Sequence, residues 1–172
     1  GQEIYVSDPK HLVRTHALDW SQAFHGRHPF NPDSDMRMAP LGDAVGLKRA
    51  AVHLMRVAPG KQSFIPHAHA VQEEWVFILE GSGEVVLDGA ATAIGPGDFI
   101  GFPIDGVVHH LANTGSGDLT YLTGGERGAF EIAEMPTIGR TAVFRGGRIS
   151  LYGPGGIDEL SEQEWRARSR LD

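Results

Sequence analysis

From Leu47 onward the chain alternates short apolar segments with turn formers. Arg49 to Val57 is dense in Val, Leu and Met and stops at Pro59-Gly60, the pattern of a strand and a turn. Trp75–Leu79, Gly83–Leu87, Ala90–Ile94, Asp98–Phe102, Val107–Ala112 and Leu119–Thr123 follow, each closed by Gly, Pro or Asn. Asp88-Gly89 is a two-residue hairpin signal, because both central positions of such a turn need positive φ. Phe130–Glu134, Thr141–Phe144 and Arg148–Tyr152 extend the series. Many short strands at this spacing predict an all-β sandwich or barrel.

The two ends read differently. In the first 45 residues, His28-Pro29-Phe30-Asn31-Pro32-Asp33-Ser34-Asp35 predicts a loop, since each Pro holds its predecessor extended. Leu18 to Gln22 predicts one short helical turn. At the other end, Ser161-Glu162-Gln163-Glu164 forms a capping box, which starts a helix running to about Arg170. Leu160 and Trp165 would pack that helix on the strands. The expected layout is one domain: an arm over 1–45, a barrel over 46–125, and C-terminal strands and helix over 126–172.

Composition narrows the function classes. A length of 172 residues suffices for a full core without staples. The net charge of −7 argues against a nucleic-acid surface, which needs clustered Lys and Arg. The longest apolar run, Trp75 to Leu79, is too short for a membrane span. Gly1 to Tyr5 carries no basic segment leading into an apolar stretch, so a cytoplasmic location is expected. There is no Cys, which removes disulfides and thiolate metal sites together. No Gly-rich phosphate loop follows a strand and opens a helix.

Histidine is the unusual count, at nine. Two tight groups hold four of them. In Pro66-His67-Ala68-His69, residues two apart in an extended chain face the same way, roughly 6.5–7 Å apart. Both imidazoles can then converge on one ion. In Val107-Val108-His109-His110-Leu111-Ala112-Asn113, alternation places His109, Leu111 and Asn113 on one face and His110 on the other, where an outward or interface residue is expected. Glu73 and Glu74 stand at the start of the most apolar strand. Glu73 shares His69's face only in an unbroken strand, whereas Glu74 needs a bulge or loop at Ala70-Val71-Gln72; periodicity leaves both open. Imidazoles with one carboxylate suit a divalent transition metal: Fe, Mn, Ni, Co, Cu or Zn.

These residues resemble a known family. Gly60 to Gly81, containing His67-x-His69, Glu74 and Gly81, resembles the first signature of the cupin superfamily. Gly97 to Asn113, containing Pro103, Gly106, His109 and Asn113, resembles the second. One extra residue between Gly60 and His67, and Pro103-Ile104-Asp105-Gly106 in place of Pro-x-Gly, depart from the pattern but fall in turns. Leu41-Gly42-Asp43 and Met135-Pro136 resemble small single-domain bacterial cupins, some labelled sugar-phosphate isomerases. The resemblance implies a double-stranded β-helix, or jelly-roll barrel, usually paired as a homodimer. It favours Glu74 over Glu73 and His109 over His110, so the implied metal ligands are His67, His69, Glu74 and His109. Such ligation generally leaves one or two positions open for water or substrate.

The expected function is a metal-dependent enzyme acting on a small oxygen-bearing molecule, by oxygenation or by sugar isomerisation or lyase chemistry. The alternative is a non-catalytic module that binds or senses a small molecule. Phe64, Tyr121 and His53 are nominated to contact substrate, Phe64 and Tyr121 at the barrel mouth. Glu73 and His53 are nominated as a general base, and Glu73 also to hold a ligand imidazole. Lys61 and Arg56 are the nearest basic residues for a phosphate. His11, His16, His25 and His28 are expected at the surface.

Overall fold

The computed structural model describes residues 9–171. The first eight residues of the expected arm, including the segment read for a leader, lie outside the described residues. In chain order the first strands are β1 (Phe24–Gly26), β2 (Met36–Ala39), β3 (Ala50–Val57), β4 (Ala68–His69), β5 (Glu74–Glu80), β6 (Gly83–Leu87) and β7 (Ala90–Ile94). They are followed by β8 (Phe99–Phe102), β9 (His109–Ala112), β10 (Leu119–Glu126), β11 (Phe130–Met135), β12 (Arg140–Arg145), β13 (Arg148–Gly153) and β14 (Gly156–Ser161). Helix α1 (Leu41–Ala44) precedes β3, and α2 (Glu162–Ser169) ends the chain.

The strands form three antiparallel sheets, ordered β1-β2-β3-β10-β5-β8, β14-β13-β12-β11-β4 and β7-β6-β9. This is the all-β architecture that the hydrophobic pattern predicts, with a short C-terminal helix. The Asp88-Gly89 hairpin forms with both residues at positive φ, 48° and 84°. Gly81 is also left-handed, and a Cβ there would meet the carbonyl oxygen of Asp118, so this position requires glycine.

Several elements differ from expectation. The helical turn falls at Thr15–Ala17, while Leu18 is extended and Asp19 to Gln22 forms a turn closed by the Gln22 amide on the Asp19 carbonyl. Strands β1 and β2 lie in the arm; β2 pairs with β3 in register Met36↔Val57 and places Met36 in the core. Strand β14 is polar at most positions and forms only because the turn before it returns it onto β13. The two residues of β4 pair with β11, which joins the His-x-His segment to the C-terminal sheet.

The core has two parts. One, inside the barrel, gathers Met55, Val57, Val76, Ile78, Phe102, Leu119 and Tyr121. The other, under the C-terminal sheet, gathers Ile65, Met135, Ala142, Leu151 and Leu160, with Trp165 packed against it. Burying a large apolar side chain contributes about 1.5–3 kcal/mol, so both parts stiffen the ground between them. Residues 64–69 cross that ground, with Phe64 packed against the first part and Ile65 inside the second.

Candidate metal centre

His67 is held by a reciprocal backbone pair with His109: each amide donates to the other's carbonyl, at 3.2 and 2.8 Å. The two rings therefore lie side by side, with centroids 4.6 Å apart. His69 ends β4, residues 70–73 loop out, and Glu74 opens β5. That loop is the break Glu74 needs to reach the histidines. One ligand atom from each of His67, His69, Glu74 and His109 lies within 4.8 Å of all the others.

Hydrogen bonds fix the tautomers. A carbonyl can only accept, so Nδ1–H of His67 donates to Ile65 at 2.8 Å and Nδ1–H of His109 donates to Val107 at 3.1 Å. Each ring is left with Nε2 as its lone-pair nitrogen, and His109 Nε2 is buried without a partner. Phe102 stacks on the His109 ring at 3.7 Å. Thr123 Oγ1 donates to Glu74 Oε1 at 2.7 Å, which leaves Oε2 facing His69 at 2.8 Å and His109 at 3.6 Å. Inward-facing lone pairs and a carboxylate oxygen, with a buried nitrogen lacking any partner, fit a cation.

A cupin-domain sequence profile matches residues 53–124. A solved structure from Acidithiobacillus ferrooxidans, named provisionally as a sugar phosphate isomerase, is 31% identical, with a TM-score of 0.80 over 86% of this chain and 94% of that one. The chain belongs to the cupin superfamily. A sugar phosphate isomerase from a cupin superfamily, from Silicibacter pomeroyi, is 25% identical, with a TM-score of 0.61 over 85% of this chain and 92% of that one. A Thermotoga maritima protein named as a predicted oxalate decarboxylase is 26% identical, with a TM-score of 0.51 over 63% of this chain and 96% of that one. No curated protein sequence matches the chain.

The electrostatics of this cupin's cluster follow from burial and proximity. Burial lowers His67 to about 3, helped by the neighbouring His109 ring, so His67 is neutral. Burial also opposes charge on His69, but the hydrogen bond and charge of Glu74 outweigh it and raise His69. For Glu74, burial favours the acid, yet the facing imidazoles of His109 and His69 hold its carboxyl well below the usual range.

The cluster opens on a cavity of about 290 Å³. Phe64 lines it, edge-on to His67 at 6.0 Å. Tyr121 is not at a mouth: it faces the barrel core from β10, is 2% exposed, and lines a gap of about 10 Å³ beside the cluster. Burial raises its phenol well above the ordinary value. His53 lines a separate recess of about 150 Å³ on the other side of His69 and Glu74. His110 is buried rather than outward, at 9% exposure.

Two residues of the cupin's cavity have no signal in the sequence. Glu73 is exposed, and the carboxylate beside His69 Nδ1 belongs to Glu131 on β11, with Oε1 3.9 Å away. The amides of Ile132 and Val71 donate to that same oxygen at 2.8 and 3.3 Å, while Oε2 is buried without a partner. His28, expected at the surface, lines the cavity, and burial lowers it to about 4. Neither lies in a motif; the β4–β11 pairing and the folding back of the arm bring them in.

Proposed function

We propose that this cupin is a metal-dependent enzyme that holds one divalent transition ion through His67, His69, Glu74 and His109. It acts on a small oxygen-bearing molecule that enters the 290 Å³ cavity. The observation that carries this is the convergence of three imidazoles and one carboxylate, of which His67, His69 and Glu74 line a cavity. A bound ion of this kind polarises a carbonyl, lowers the pKa of bound water or activates oxygen.

The chain's own residues do the rest. Thr123 turns Glu74 so that one oxygen faces the imidazoles. With Nε2 of His69 on an ion, Nδ1 would carry the proton, and Glu131 Oε1, 3.9 Å away, is the nearest carboxylate oxygen to it. Glu131 lines the cavity with one carboxylate oxygen unpartnered, which makes it a nominee to take a proton from substrate ahead of Glu73 or His53, neither of which lines that cavity. The names of two relatives support isomerase chemistry and that of a third supports lyase chemistry. Binding without turnover is the second reading, favoured by a cavity whose walls are mostly apolar. Pairing of two copies belongs to the same proposal, and exposed Phe99 and Ile104 at the β8 end of the six-stranded sheet support it.

Turnover of a panel of diketones, phenols and sugars by protein loaded with Fe(II), Mn(II) or Ni(II) tests the enzyme reading. Product formation that disappears in His109→Ala supports it. Ligand binding with no product across the panel, by oxygen uptake and by chromatography, favours the binding module.

A further inference from the structure

The walls of the metal cavity come from four separate parts of the chain. Phe64 stands beside the ligand segment, Met135, Ala142 and Phe144 come from the C-terminal sheet, and Trp165 comes from α2. His28 of the arm closes the ring of contacts, 5.5 Å from Trp165 and 6.5 Å from Phe64, with Phe144 and Trp165 edge-to-face at 5.8 Å. Such rings offer flat apolar faces and few hydrogen-bond partners.

Positive charge is missing from the same walls. All 15 Lys and Arg lie within the described residues, and none lines this cavity. Arg56 lies over Trp20 at 4.0 Å, and Arg140 bonds Asp158 at 2.6 Å. Arg145, Arg148 and Arg166 line a different groove, and Lys61 lines none of the recesses around the cluster. Glu74 and Glu131 together offset a divalent ion, so no surplus remains for a phosphate carrying about −1.5 to −2 charges. Burying such a group without cationic partners is strongly unfavourable.

We infer that the molecule this cavity takes is a neutral or singly charged aromatic or conjugated compound bearing two adjacent oxygens, such as a catechol or diketone, and not a phosphorylated sugar. This deepens the metal-enzyme reading and rests on it: the two oxygens meet the ion while the flat body lies between Phe64, Phe144 and Trp165.

Full-length protein loaded with Co(II) tests this, titrated separately with 4-nitrocatechol and with fructose 6-phosphate while the Co(II) visible bands are followed. The expected result is saturable binding of 4-nitrocatechol, weakened about tenfold or more in Trp165→Ala and in Phe144→Ala, with Co(II) affinity unchanged in both. Fructose 6-phosphate should leave the bands unmoved at the same concentrations. Tighter binding of the sugar phosphate overturns the inference, as does nitrocatechol affinity indifferent to both aromatic variants. Protein that takes up no Co(II) overturns the metal reading itself, and the inference falls with it.

Discussion

Three of the four candidate ligands are aimed by a neighbour. Backbone carbonyls take the protons of His67 and His109, and Thr123 takes one oxygen of Glu74. For His69, Nδ1 has no hydrogen-bond partner, and the nearest carboxylate is that of Glu131, whose Oε1 lies 3.9 Å away and is itself pinned by two amides. Removing a carboxylate that orients a ligand imidazole typically costs about 10- to 100-fold in metal affinity. Glu131→Ala should therefore weaken divalent-metal affinity by that order, as read by calorimetric titration, and Glu131→Gln, which keeps an acceptor, should recover part of it. Equal affinity in wild type and both variants would remove Glu131 from the site.

Among the elements, α2 matters because it carries Trp165 to the cavity. Its start is secured by the Ser161 capping box: Ser161 Oγ accepts from the Glu164 amide, and Glu164 accepts from the Ser161 amide at 2.7 Å. Ser161→Ala should lower unfolding stability by about 1 kcal/mol, read by denaturant unfolding; no change would mean that packing alone holds the helix. This element was legible in the sequence because a capping box is local chemistry. So were β6, β7 and the Asp88-Gly89 turn, whose alternation and positive-φ residues need no distant partner. Strands β4 and β14 were not, since a two-residue segment and a polar one become strands only through pairing with β11 and β13. The same limit separates the candidate ligands from their surroundings. His67, His69, Glu74 and His109 stand at motif spacing, whereas Glu131 and His28 reach the cavity through long-range pairing, and Tyr121 lies on the face of β10 that the barrel core covers.

For the whole molecule, the buried histidines make folding sensitive to acid. His28 and His67 ordinarily titrate near 6.5 but are held near 4 and 3 in the fold by burial. Between those values the unfolded chain takes up protons that the folded chain refuses, so stability is full above about 6.5 and is lost as pH falls toward 4. His69 is raised and opposes this, since its contribution is present at low pH and is lost as pH rises through its own shifted value. Burial lowers His53 and His110 as well, so four depressed histidines outweigh one raised one. The thermal midpoint of metal-free protein should fall between about pH 7.5 and about pH 5, and a flat profile would contradict the burial of these rings.

Metal binding would sharpen that acid sensitivity, because an ion needs His69 free of the proton that Glu74 holds on it. The most direct test of the centre is therefore the metal itself: elemental analysis of protein purified without chelators and then dialysed against a divalent transition metal. The structure predicts one ion per chain in the wild type and loss of that ion in His109→Ala. Wild-type protein that retains no ion, or a His109→Ala variant with undiminished occupancy, would contradict the four-residue centre.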